Sequence, residues 1–176
     1  MQTSTNAAIQ ARDKVGLGGS CHWCTEAIFQ SLRGVERVQQ GWLSAHDAPA
    51  SFSEGVLVSF CPDEIDLASL IAVHLYTHSC TANHSMRSKY RSAIYTFSQT
   101  QALLASSAIT ALQVDFEQKI ITEVCQYEAF KENTAEYQNY FLQNPERPFC
   151  QNYIHPKLRL LRHKFTQLVK QDTLTS

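Results

Sequence analysis

The chain has 176 residues, 44% of them apolar, and a formal charge of −1. That length is enough to bury one core without disulfides, and the near-balanced charge, with no long basic block, argues against nucleic acid or an anionic membrane surface as the main partner. No apolar run approaches the roughly 20 residues of a membrane span, and the opening MQTSTNAAIQARDKVG has no continuous apolar signal region, so the sequence reads as a cytoplasmic protein.

Residues 1–13 are polar and aperiodic and predict a mobile arm; a single domain is expected over 14–176. Residues 15–19 read as a glycine-rich strand running into a turn. Ala27, Ile28, Phe29 and Leu32 then recur at helical spacing until Gly34 ends the helix. Alternation predicts strands at 35–42 and 55–60, with a loop over 44–52 between them. Asp63 is placed to cap a helix carrying Ile65, Leu67, Leu70, Ile71 and Leu75. A polar loop is expected over 77–89, a strand at 92–97, an alanine-rich helix over 99–116 and a strand at 120–125. A C-terminal extension from about Gln126 holds Asn144-Pro145-Glu146-Arg147-Pro148-Phe149-Cys150, and a basic amphipathic helix is expected over 155–170. The order predicts an α+β protein: a two-layer sandwich with a mixed sheet and a split βαβ, ferredoxin-like core, followed by the tail.

Chemistry concentrates in Cys21-His22-Trp23-Cys24, where strand passes into helix. A cysteine there faces free backbone N–H groups, which stabilise a thiolate and suit a nucleophile. A buried structural thiol, a thioredoxin-like redox pair, and a zinc site completed by His74, His78 and His84 stay open on the residues alone. The six cysteines, at 21, 24, 61, 80, 125 and 150, lack the pattern of a short secreted framework, so most are expected to be reduced.

Gly18-Gly19-Ser20-Cys21-His22-Trp23-Cys24-Thr25-Glu26-Ala27, Gly34-Val35, Phe52-Ser53-Glu54 and Tyr90-Arg91-Ser92-Ala93-Ile94-Tyr95 together resemble the type A peptide methionine sulfoxide reductases. Ile121-Thr122-Glu123-Val124 and an Asn-Pro pair ahead of Cys150 fit the same family, so the resemblance runs over residues 14–150. It implies a thiol-dependent oxidoreductase that reduces the S epimer of methionine sulfoxide, peptide-bound or free. By that resemblance Cys21 attacks the sulfoxide sulfur, Glu54 supplies a proton to the oxygen and Tyr90 hydrogen-bonds it. Trp23 walls the methyl pocket. The sulfenic acid left on Cys21 is then resolved by Cys150, with Cys24 as the rival. The expected partners are oxidised proteins or peptides and a thioredoxin-like reductant; no bound cofactor or metal is expected, the chain is expected to be a monomer, and Cys61, Cys80 and Cys125 are bystanders.

The chain also departs from the family. Ser20 replaces a glycine, and His22 stands where the family has the phenylalanine of the methyl pocket. The segment between Trp42 and Glu54 is shorter than usual and loses a second tyrosine that contacts the oxygen. Ser85 falls at the place of a substrate-binding aspartate, with His84 beside it. An alternative implied by these changes is a weakly active or non-catalytic module that binds oxidised methionine or senses redox state on the same fold.

Overall fold

On β1 (Asp13–Gly18) the side chains of Val15 and Leu17 share a face, as do Val56, Val58 and Phe60 on β3 (Ala48–Phe60), and all five are buried in one cluster with helical residues. This period-two pattern fixes the register: β1 runs antiparallel to β3, from Asp13 opposite Phe60 to Gly18 opposite Gly55. The computed structural model describes residues 11–172, so most of the arm expected over 1–13 lies outside the described residues. The remaining elements are α1 (His22–Gln30), β2 (Val35–Ala45), α2 (Leu67–Tyr76), β4 (Ala93–Thr96), α3 (Gln99–Leu112), β5 (Glu123–Glu132), α4 (Tyr140–Gln143) and α5 (His155–Lys164).

The fold is mixed α/β with a mixed sheet, but the sheet is not one layer of a ferredoxin-like sandwich. Its order is β1-β3-β2-β5-β4, and β4 returns to pair antiparallel with β1, closing a barrel. Only β4 and β5 are parallel among the described strands, and α3 makes the crossover between them. Closure leaves no strand edge open, and it needs a filled interior. Leu43, Ala45, Leu57, Ala93 and Tyr95 supply that filling. Gly16 makes room for it, since a Cβ there would lie 2.8 Å from Cβ of Tyr95. The other strand faces pack under the helices with Ile28, Phe29, Leu32, Leu70, Ile71 and Leu161.

Four local expectations are also corrected. Residues 44–52 are mostly strand: β2 and β3 form a long hairpin that turns at His46 and Asp47, with Ala45 opposite Ala48. Small residues and Pro49 hide this strand end because it lies beyond the core and is largely exposed. Asp66, not Asp63, caps α2, accepting from the Ser69 N–H at 2.7 Å. The last strand begins at Glu123 and runs to Glu132; its half-exposed side chains lack a clean alternation. The basic helix ends at Lys164, and the chain then bends through Thr166–Leu168 so that Val169 bridges to Leu32. No described helix is long and apolar enough to cross a membrane.

Candidate active site

Cys21 is the N-cap of α1, with φ −50° and ψ 131°, and its carbonyl accepts from Thr25 through both N–H (3.2 Å) and Oγ1 (3.1 Å). Three positions on, Cys24 is buried, and its thiol interacts with that of Cys21. The two titrate as a pair. The Cys24 thiol is pushed down, first because the Cys21 S–H stabilises its thiolate and further by the Lys157 ammonium. The Cys21 thiol is pushed up strongly, by the bond to Cys24 and then by burial, and the Glu54 carboxylate adds to this. Of the two thiols Cys24 therefore ionises first, and Cys21 keeps its proton longer.

The turn into Cys21 is tightly built. Gly19 has φ +152°, and a Cβ there would lie 2.4 Å from the His78 ring, so only glycine fits. Nε2 of His74 donates to the Gly18 carbonyl at 2.8 Å, and the two imidazoles stack with centroids 4.2 Å apart. Burial pushes the His74 ring well below its usual range and His78 down to about 4, so both are neutral props.

Glu54 comes from β3, opposite Trp42, and is buried. Its Oε2 accepts from the His22 N–H at 3.3 Å, and its own N–H donates to the Lys89 carbonyl at 2.9 Å. Tyr90, half-buried, follows Lys89, whose ammonium lies 5.1 Å from the tyrosine ring centre. Ser53 locks the same corner: its Oγ donates to the Lys89 carbonyl (2.8 Å) and accepts from the Arg91 N–H (2.6 Å). A thiol pair, a carboxyl and a phenol are thus hung on adjoining backbone segments. Such a set can attack an electrophilic sulfur and protonate the oxygen it carries.

A family model described as peptide methionine sulfoxide reductase matches residues 13–169. The peptide methionine sulfoxide reductase MsrA of Chromobacterium violaceum is 34% identical over 174 residues, covering 90% of this chain and 99% of that one. MsrA of Acinetobacter baumannii strain AYE is 32% identical over 167 residues, covering 87% and 96%. This chain belongs to the peptide methionine sulfoxide reductase family. Solved structures agree on the fold: Mxr1 of Saccharomyces cerevisiae in reduced form has a TM-score of 0.71 at 20% identity, covering 79% of this chain and 89% of that one. Methionine sulfoxide reductase A of Corynebacterium diphtheriae has a TM-score of 0.64 at 21% identity, covering 76% of each chain. Mxr1 in complex with Trx2 has a TM-score of 0.58 at 21% identity, covering 73% and 84%.

For this reductase-family chain, the structure brings Cys21, His22, Cys24 and Glu54 together, with Trp23 on the same helical turn and Tyr90 following the Lys89 carbonyl that Glu54 bonds. His84 and Ser85 lie on the exposed loop before β4, where Nδ1 of His84 accepts from the Met86 N–H at 3.2 Å. Cys150 is fully buried rather than held on a free tail. It starts a wide helical turn, Cys150–Ile154, beside Cys24, and burial pushes its thiol up. Trp23 is clamped by that tail: Tyr140 stacks on it at 4.0 Å and Phe149 meets it edge-on at 5.4 Å. No three His, Cys, Asp or Glu side chains converge as a metal site would require among the described residues.

Two supporting residues were given no role from the sequence. Glu26 is fully buried, and its carboxyl accepts from the N–H groups of Asn139 and Tyr140 and from Nε2 of Gln40, each at 3.0 Å. Arg87 spends its guanidinium on four carbonyls, those of Gly19, Ser79, Ala82 and Tyr90. A carboxylate within the Cys21 motif, on the helix that the motif opens, was a visible signal for Glu26; an arginine in a polar loop gave none.

Proposed function

We propose that residues 14–176 act as one unit, a thiol-dependent oxidoreductase that reduces the S epimer of methionine sulfoxide, peptide-bound or free. The observation that carries this reading is the Cys21–Cys24 thiol pair at the start of α1, with the Glu54 carboxyl on the N–H of His22, one of the two residues between them. Cys21 gives its proton to the Cys24 thiolate as it attacks the sulfoxide sulfur. Glu54 delivers a proton to the sulfoxide oxygen, which Tyr90 also bonds. Methionine sulfur gains two electrons and loses its oxygen; Cys21 sulfur loses two electrons and gains that oxygen as a sulfenic acid. Trp23, His22, His84 and Ser85 form the substrate rim.

Resolution needs a second thiol. Cys24 interacts with Cys21, and N-cap and third helical position are the places a Cys-x-x-Cys pair can bridge. Its attack on the sulfenic acid forms a disulfide and releases water. Cys150, adjacent to Cys24, exchanges next by attacking Cys24 and freeing Cys21 as a thiol. A thioredoxin-like dithiol then reduces the remaining bridge; no bound cofactor enters the cycle.

The test is turnover of each sulfoxide epimer with dithiothreitol and with thioredoxin, together with disulfide mapping under limiting reductant. The S epimer alone should turn over, Cys21→Ser should abolish this with the fold intact, and bridges from Cys24 should accumulate. Full activity in Cys21→Ser, or binding of oxidised peptide without reduction of either epimer, would overturn the reading.

A further inference from the structure

We infer that His22 shares with Glu54 the proton that goes to the sulfoxide oxygen, so that the acid of this site is a pair of side chains. The inference deepens the reductase reading above and rests on it.

His22 faces both oxygens of the Glu54 carboxyl. Its backbone N–H donates to Oε2 at 3.3 Å, and its ring Nε2 lies 3.9 Å from Oε1. The ring cannot turn away, because Nδ1 is bonded to the Gly41 carbonyl at 3.0 Å and the imidazole stands edge-on to Trp42 at 5.2 Å. A carbonyl only accepts, so Nδ1 carries hydrogen. Nε2 is then the atom that gains or loses a proton, and it is the atom facing the carboxyl. The gap is too long for a direct hydrogen bond, and an oxygen set to one side of the line joining the two atoms would be within hydrogen-bond distance of both.

With one proton, imidazolium–carboxylate and imidazole–carboxylic acid have the same composition, and either can release that proton to an oxygen between them. When it leaves, the pair is unprotonated and refills from water. A phenylalanine at this position would have no such capacity. The other ionisable groups near the pair are Cys21 and Cys24 on α1 and Lys89 and Tyr90 before β4; β2 contributes only the uncharged Gly41 and Trp42.

The deciding experiment is the pH dependence of kcat/KM for the S epimer in wild type, His22→Phe, His22→Gln, Glu54→Gln and the Glu54→Gln/His22→Phe double variant. Glu54→Gln should keep at least about tenfold more activity than the double variant, rising as pH falls, because an imidazolium is then the remaining donor. Both His22 single variants should lose activity first on the alkaline side, shifting that limb to lower pH. Equal residual activity in Glu54→Gln and the double variant, with an unmoved alkaline limb in His22→Gln, overturns the inference. Absence of wild-type turnover would instead overturn the reductase reading. Proton sharing is then decided by NMR titration of the His22 ring, which must differ between wild type and Glu54→Gln; identical titrations refute it.

Discussion

The carbonyls of Gly19 and Tyr90 share one donor, Nη1 of Arg87, at 2.9 Å each. The same guanidinium reaches the Ala82 carbonyl through Nε (2.9 Å) and the Ser79 carbonyl through Nη2 (2.5 Å). One side chain therefore sets the spacing between the turn that presents Cys21 and the residue that presents Tyr90. Glu54 joins the same frame through Lys89.

Replacing Arg87 with Met leaves those carbonyls without their donor and lets the two segments drift. Misplacement of about 1 Å can cost roughly a hundredfold in rate. Arg87→Met should accordingly lower kcat for the S epimer by about 10- to 100-fold with a smaller change in KM. Arg87→Lys, which keeps a charge but not the fork, should recover only part. Steady-state kinetics on folded protein checks this; an unchanged kcat in Arg87→Met refutes it.

His78 makes stability depend on pH. Its folded-state value of about 4 lies below the unfolded value of 6.5, so the unfolded chain binds the extra proton between the two. The contribution is present above 6.5 and is lost as pH falls toward 4, and His74, lowered by burial too, acts in the same sense. At pH 5 the His78 shift amounts to at most about 2 kcal/mol, an upper figure because the ring is partly exposed. Glu26, raised by burial, opposes this, since its neutral form is favoured in the fold. Urea melts at pH 7 and pH 5 should show wild type losing more stability than His78→Gln; parallel losses would discount the histidine.

The Cys21 motif was legible because its chemistry is local: a strand end, a helix start and the signature between them lie in consecutive residues. Glu54 and Tyr90 were reached only through family resemblance, since nothing in their own neighbourhoods marks a strand carboxylate or a loop tyrosine as functional. Barrel closure was hidden for a related reason. It depends on β1 finding β4 across 75 or so residues, and the alternation in Val15 and Leu17 fits an open or a closed sheet equally. The burial of Cys150 was also invisible, because a polar segment before it suggests a free tail, whereas Glu26 and Trp23 fasten that segment from the far side of the sequence.

Glu26 should therefore govern access to Cys150. Glu26→Ala strips acceptors from two backbone N–H groups and the Gln40 amide, at a cost of about 2–4 kcal/mol. The tail opens locally before the barrel does. Cys150 alkylation, followed by mass spectrometry under native conditions, should accelerate by about tenfold or more while Cys61 in the core stays protected. Equal protection of Cys150 in wild type and variant would show that the tail is held elsewhere.

Lys157 gives the basic helix α5 a role at the site. Its Nζ donates to Ser20 Oγ at 3.4 Å, and its charge favours the Cys24 thiolate. Removing that charge in Lys157→Met leaves the Cys21–Cys24 pair in place but withdraws the cation, so the pair should hold its first proton to higher pH. The alkylation rate of Cys24 at pH 7 should fall by roughly three- to tenfold, with the midpoint of its pH profile moving up. Lys157→Arg should restore the rate, because charge rather than length is what acts. A Lys157→Met profile that overlays wild type would mean that the Cys21 S–H alone sets the Cys24 thiolate, and that α5 serves only to cover Leu158 and Leu161.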